Sequence, residues 1–260
     1  MPPLVSTGIF GAYFSRFKVT SRLNSASVPT SVLVRQRRSL VMSMIVPIIF
    51  LISWKSLIPV IGGPAVLSIC MAVGLPAIGL MGYSLTIARD RERGIFQRLR
   101  AAPVPTWIIM SSRIIVQLSL IAAMALVTIA IAQWVDHISI GYLNILLLLI
   151  ASLIGGMAFL ALGQFIVAFI QSSEAVNSAA RLIYFPIAIV GALGSIGLFG
   201  SVVEKIVQWS PLGTTKVLLI AAMEPSTIFT HSVLFALAVT LGYGLVFAGI
   251  GIRYFKWKGK

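Results

Sequence analysis

The chain has 260 residues, of which 58% are hydrophobic and only 10% are charged, and its mean hydropathy is +1.03. Because a soluble domain carries about a quarter charged residues, this composition excludes a soluble protein and indicates an integral membrane protein. The net charge of +14 would favour nucleic acid in a soluble protein, but in a membrane protein basic residues flank the spans and face anionic lipid, so no nucleic-acid partner is expected.

Residues 1–38 are predicted to form a cytoplasmic segment ahead of the first span. Four aromatic residues in it follow helical spacing, with basic residues off that stripe: Phe10, Tyr13, Phe14 and Phe17. This pattern is typical of an amphipathic helix that lies in the headgroup region of a membrane. A plain helix packed on the protein's own cytoplasmic face has the same pattern and stays open as an alternative.

Six apolar segments follow, each long enough to cross a bilayer as a helix. They are predicted at 39–57, 65–87, 107–132, 143–170, 181–200 and 228–252. Residues 171–180 are predicted as a short inner loop, and residues 253–260 as a cytoplasmic tail. The chain is therefore predicted to be a single all-α transmembrane domain over residues 1–260, with a six-span bundle at 39–252.

The distribution of basic residues predicts the orientation of these spans. The segments assigned to the cytoplasm carry 17 of the 20 Lys and Arg residues, whereas the outer segments carry only Lys55, Lys205 and Lys216. Such a bias is typical of the cytoplasmic side of a membrane protein. We therefore expect both termini to be cytoplasmic.

The densest charge cluster lies between the second and third spans, at residues 89–102. Ile95, Phe96 and Leu99 follow helical spacing there, and Pro103 ends any helix. The charged residues around them are Asp90, Arg91, Glu92, Arg93, Arg98 and Arg100. This pattern favours a short amphipathic helix around Glu92–Arg100 at the membrane surface that a partner binds, while the alternative is an ordinary solvated loop with topogenic charges.

Several function classes receive no support from the residues. No GxxxxGK[ST] phosphate-binding loop occurs, and His137 and His231 lie outside any metal-binding or catalytic pattern. All six acidic residues fall in or near predicted loops, which counts against an ion-driven carrier with a carboxylate inside the bilayer. We therefore expect a protein that is not itself an enzyme and that binds no cofactor.

Glycine recurs at every third residue near the end of the fifth predicted span, at Gly191, Gly194, Gly197 and Gly200. This spacing leaves one side of a helix without side chains and lets a neighbouring helix approach closely. The interpretations are tight packing or a helix break before a half-spanning outer helix, with a gate that contacts substrate as the alternative.

Three segments resemble motifs of the permeases of type-2 ABC exporters. Residues 88–104 are similar to that family's E-R-E-x-G segment between spans 2 and 3, with Asp90 and Ile95 in place of the usual Glu and Thr. Residues 172–175 (SSEA) resemble its inner loop before span 5, and residues 204–212 resemble its outer W-x-x-(N/S)-P-L segment. The family's proline after span 5 is absent here.

This resemblance implies a multi-pass permease in a prokaryotic cell membrane, working as a dimer with a second permease copy or paralogue. Separate ATPase subunits would bind ATP and Mg and dock on a coupling helix at 89–102, with Glu174 as a second inner-loop contact. The resemblance also implies short re-entrant outer helices between spans 5 and 6, and export of an amphiphilic or hydrophobic substrate such as a drug, lipid, peptide or glycoconjugate. An ATP-independent channel or carrier, and a membrane scaffold subunit without transport activity, remain as alternatives.

Overall fold

The computed structural model describes residues 45, 47–96, 106–194 and 196–254, without the side chains of residues 106–110. The predicted N-terminal amphipathic helix, part of the predicted span at 39–57 and most of the C-terminal tail lie outside these residues. Arg98, Leu99 and Arg100 lie outside them as well. The single-domain prediction over 1–260 therefore stays a prediction.

The described part of the chain is helical and contains no strand. Residues 47–53 are helical, and short helical turns at Lys55–Leu57 and Ile58–Ile61 lead into the bundle. Its main helices are α1, Gly63–Glu92; α2, Thr106–Trp134; α3, Tyr142–Phe169; α4, Ser173–Gly194; α5, Ser201–Trp209; α6, Pro211–Met223; and α7, His231–Arg253.

Five of these helices, α1, α2, α3, α4 and α7, are long and apolar enough to cross a membrane. Helices α5 and α6 meet at an angle of 82° and would add a sixth span if the pair were counted as one. The all-helical, multi-span prediction is thus confirmed in its coarse form, with five to six spans among the described residues.

Helix α4 differs from its predicted span at both ends. It begins at Ser173 rather than near Arg181, so the predicted inner loop at 171–180 is wrong beyond its first two residues. The physical reason is a local cap, because the Ser172 hydroxyl accepts a hydrogen bond of 3.1 Å from the backbone N–H of Ala175. The helix ends at Gly194 rather than near Gly200.

Helix α3 lies at the centre of the bundle and packs against α1, α2, α6 and α7. Glycines permit the closest approaches. A Cβ on Gly79 of α1 would lie 2.6 Å from the backbone of Phe159, and a Cβ on Gly163 of α3 would meet the carbonyl of Gly79. The backbones of α1 and α3 are therefore in direct contact, as small residues allow between membrane helices.

The middle of α1 departs from α-helical geometry. Pro76 has no N–H for the helical ladder, and residues Ala77–Tyr83 directly after it form a π-helical segment. The hydroxyls of Ser84 and Thr86 then donate to the carbonyls of Leu80 and Gly82. These side-chain hydrogen bonds satisfy carbonyl groups in the widened stretch, so the helix continues as one span.

The helices alternate in direction, so each end of the bundle has its own contacts. At the end that we call the charged end, α1 finishes beside the α3–α4 turn, and Tyr254 after α7 stacks on Phe169 of α3 with ring centroids 5.7 Å apart. At the opposite end, Lys55 Nζ donates to the carbonyl of Val135 (3.0 Å), and Asn144 Nδ2 donates to that of Met223 (2.9 Å).

Helices α5 and α6 form a bent hairpin against α4 and α7. A Cβ on Gly191 of α4 would lie 2.8 Å from Leu212 of α6. The Tyr243 hydroxyl of α7 donates to the carbonyl of Trp209 at the end of α5 (3.1 Å). Since Tyr243 lies halfway along α7, the bend of the hairpin lies deep in the bundle, while Met223 at the far end of α6 contacts Asn144 near the start of α3.

Candidate functional site

The charged segment begins inside α1 rather than after it. Helix α1 continues to Glu92 and ends where Gly94 adopts a φ of +67°, a left-handed conformation that glycine tolerates. The backbone N–H of Gly94 bonds to the carbonyl of Arg91 at 3.1 Å, and a new helical turn starts at Ile95. The predicted helix around Glu92–Arg100 therefore does not include Glu92, because the backbone turns at Arg93 and Gly94.

Arg91 is buried, with a relative exposure of 1%. Its guanidinium donates to three backbone carbonyls at the end of α3: Val167 at 2.8 Å, Ile170 at 2.5 Å and Gln171 at 2.9 Å. The last carbonyls of a helix lack intrahelical partners and carry the negative end of the helix dipole. Arg91 therefore caps the C-terminus of α3 with a complementary charge.

Glu92, the next residue, caps the following helix. Its carboxylate accepts one hydrogen bond from the backbone N–H of Ser173 (2.5 Å) and another from the Ser173 hydroxyl (2.6 Å). Ser173 is the first residue of α4, where unpaired N–H groups and the positive end of the dipole favour an anion. Arg91 and Glu92 thus hold the α3–α4 turn from its two sides.

Asp90 ties the same segment to α2. Its carboxylate is 2.5 Å from Arg113 Nη1, and both side chains are largely buried. The Arg113 guanidinium also lies 4.8 Å from the ring centroid of Phe96, within the range of a cation–π contact. We call the set Asp90, Arg91, Glu92, Phe96, Arg113 and Ser173 the charged clasp.

The structure distributes the predicted coupling residues between the surface and the interior. Glu92 and Arg93 are exposed, and Asp90 and Ile95 are half-buried. Arg91 and Phe96 belong to the segment that is predicted to bind a partner, but both side chains are buried, so in this structure neither is available to a docking partner. The physical reason is that the α3 carbonyls already bind the Arg91 guanidinium and that Arg113 already contacts the Phe96 ring.

Glu174 lies exposed in the first turn of α4, beside the clasp. The structure thus brings residues 90–92 of the first motif next to residues 172–175, although about 80 residues separate them in the chain. Sequence reasoning missed the roles of Arg113 and Ser173. The only signal in the sequence was the basic side chain of Arg113 near the start of the predicted span at 107–132. Local spacing does not predict which carboxylate such a residue contacts.

The four spaced glycines do not form one stripe. Gly191 and Gly194 lie in α4, and a Cβ on them would lie 2.8 Å from Leu212 and 2.9 Å from Val207, respectively. Gly197 and Gly200 lie in the turn after α4, with φ values of +75° and +84°. The arrangement is therefore close packing against the α5–α6 hairpin followed by a helix break.

The comparison with known families agrees with this architecture. Residues 60–253 match the family described as ABC-2 family transporter protein. No curated protein matches the chain. The match covers most of the chain and all seven main helices, and five to six of the described helical segments are suited to a bilayer. The chain therefore belongs to the ABC-2 family of transporter proteins and is a transmembrane transport permease.

Proposed function

We propose that this chain is the membrane subunit of an ATP-driven ABC exporter and that a separate cytoplasmic ATPase docks on residues 89–102. The observation that carries the proposal is the charged clasp. Through it, the segment at the end of α1 is bonded to α2, α3 and α4 at once. A force applied to that segment would therefore move several spans together.

The proposed docking surface consists of the exposed residues in and beside the charged clasp. Arg93 and Glu92 are exposed at the end of α1, and Glu174 is exposed in the first turn of α4. These residues form the polar rim of the surface and would set the register of the ATPase. The apolar contact comes from Ile95, which is half-buried, together with Leu99.

The proposal also includes re-entrant helices at the outer side. Helix α4 runs away from the charged end and α7 returns to it, so the chain between them must start and finish at the same end of the bundle. The contacts of Trp209 with Tyr243 and of Met223 with Asn144 support a hairpin that dips in and returns. In this arrangement α5 and α6 cover the outer mouth of the transport pathway and do not form a span.

The complete transporter would contain two permeases, this chain with a second copy or a paralogue, and two ATPases that supply ATP and Mg. It would reside in a prokaryotic cell membrane with both termini of this chain in the cytoplasm. The substrate would be amphiphilic or hydrophobic, since the helices expose mostly apolar side chains to one another and to lipid.

The test is co-purification of the full chain with the ATPase encoded beside its gene. We expect Arg93→Glu and Ile95→Asp each to lower the recovered ATPase by about tenfold or more, because they reverse a rim charge and bury a carboxylate. Lys205→Glu makes the same charge reversal on exposed α5 and should leave recovery unchanged.

If the complex with the ATPase stays stable in both Arg93→Glu and Ile95→Asp, the proposed docking surface is wrong. The failure of any ATPase to bind the wild-type chain would overturn the function itself. Substrate movement that persists in ATP-free vesicles under an ion gradient would instead favour a secondary carrier.

A further inference from the structure

A groove of about 360 Å³ lies between the spans, in the range of ligand pockets, which is about 300–1,000 Å³. Helices α3 and α7 form most of its wall, with contributions from Tyr83 of α1 and Ile114 of α2. Leu245 at its edge is 75% exposed and Met157 is 43% exposed. Because these residues belong to spans, the groove opens sideways toward the hydrocarbon of the bilayer.

The wall of this groove is lined almost entirely by apolar atoms. Three of the residues that line it are polar, and the Tyr83 hydroxyl, Gln164 Oε1 and the Thr240 hydroxyl are each hydrogen-bonded within the protein. The Tyr83 hydroxyl donates to Gln164 Oε1 (2.8 Å), and the Thr240 hydroxyl lies 2.8 Å from the carbonyl of Ala236. A ligand with polar groups would leave them without hydrogen bonds here, so the groove favours a hydrocarbon chain.

The length of the groove matches one leaflet. Its lining on α7 runs from Thr240 and Leu241 in the middle of the helix to Ile252 at the charged end. At a rise of about 1.5 Å per residue, Leu241 and Ile252 are about 16 Å apart along the helix. Half of the hydrocarbon core of a bilayer is about 15 Å thick. The groove is therefore about as long as one acyl chain in a leaflet.

Positive charge lies where the headgroup of such a lipid would be. Arg253 directly follows Ile252 and is exposed. Basic residues beside the end of a span attract anionic headgroups.

We propose that this groove binds one acyl chain of an anionic phospholipid from the leaflet at the charged end, with its phosphate at Arg253. The occupant is a lipid of the bilayer rather than transported cargo, because the groove opens onto the membrane. The inference goes beyond the proposed transport activity and does not depend on the ATPase.

The test uses the full chain, with any subunits that co-purify, in phosphatidylcholine vesicles. A small fraction of phosphatidylglycerol carries a photoreactive diazirine on its acyl chain, and peptide mass spectrometry locates the label. We expect the label to concentrate on the groove segments of α3 and α7. Gly244→Leu should lower it at least fivefold, because Gly244 lines the groove and a Cβ there meets only Ala158 Cα, at 3.8 Å.

Gly249→Leu is the matched control, since Gly249 is on the same helix, does not line the groove and has open space around its Cβ position. It should leave the label unchanged. Arg253→Gln should reduce the preference for labelled phosphatidylglycerol over labelled phosphatidylcholine by about fivefold, the equivalent of about 1 kcal/mol.

Three results would overturn the proposal. The first is label spread evenly over all lipid-facing helices, and the second is equal labelling of the two leucine variants. The third is the absence of label from the groove while other lipid-facing helices are labelled, as expected if a second protein chain covers it. An unchanged lipid preference in Arg253→Gln would remove the assignment of the headgroup.

Discussion

Two neighbouring arginines at the end of α1 have different surroundings. Arg91 is 1% exposed and donates to three carbonyls that end α3, whereas Arg93 is exposed. Sequence places both in one charged run, yet only the first has a structural role within the described residues. The difference arises because residues on a helix point in different directions, and Arg91 faces the α3–α4 turn.

We expect Arg91→Met to lower the stability of the protein by about 3 kcal/mol, because hydrogen bonds from a charged group contribute about 1.5–3 kcal/mol each and the carbonyls would lose their donor. The melting temperature in detergent should fall by about 6–12 °C. Arg93→Met removes the same atoms from an exposed site and should change stability by less than about 0.5 kcal/mol. Equal effects of the two variants would show that Arg91 does not hold the turn.

Helix α1 is positioned by its contact with α3. Gly79 and Gly163 bring the two backbones together at the π-helical segment Ala77–Tyr83, which follows Pro76. Such a segment widens the helix and is often found at functional sites. The segment lies between the first half of α1 and the charged clasp.

Gly79→Ala should disturb this contact, because its Cβ would lie 2.6 Å from the backbone of Phe159, which has no flexible atoms to move away. We expect a loss of about 1–3 kcal/mol, measured as a lower melting temperature. Gly82→Ala is the control in the same segment, since the nearest atom to its Cβ would be the carbonyl oxygen of Ala77 at 3.8 Å. If the two alanine variants melt alike, the α1–α3 contact is looser than described.

The two ends of the helix bundle carry different sets of charged residues. The charged end contains the clasp and Arg253, and the opposite end contains Lys55 and Met223 at the end of α6. The bias of basic residues predicts that the charged end faces the cytoplasm. The docking of an ATPase depends on this orientation, whereas the hairpin follows from the directions of α4 and α7.

Cysteine labelling tests the orientation and the hairpin together. Cys70 is buried, so a membrane-impermeant maleimide should react only with introduced cysteines. In intact cells we expect Lys205→Cys and Glu224→Cys to be labelled and Arg93→Cys to react only after the membrane is permeabilised. Labelling of Lys205→Cys and Glu224→Cys from opposite sides would mean that α5 and α6 cross the bilayer, and labelling of Arg93→Cys in intact cells would reverse the orientation.

Sequence alone determined the membrane class, the approximate positions of the spans and the family. These properties depend on local composition, because about 20 apolar residues suffice to define a spanning helix and the family motifs are short and contiguous. The position of the charged segment between two spans was also predictable, since ionised groups are costly in hydrocarbon.

Only the tertiary structure decided which charges are buried and what they bind. The pairings of Arg91 with the end of α3, of Glu92 with Ser173 and of Asp90 with Arg113 join residues 23 to 81 positions apart. The start of α4 at Ser173 and the separation of Gly191 from Gly200 also depended on neighbouring elements. Spacing along the chain reports the face of one helix, whereas these contacts are set by how helices pack against one another, and that packing is not local.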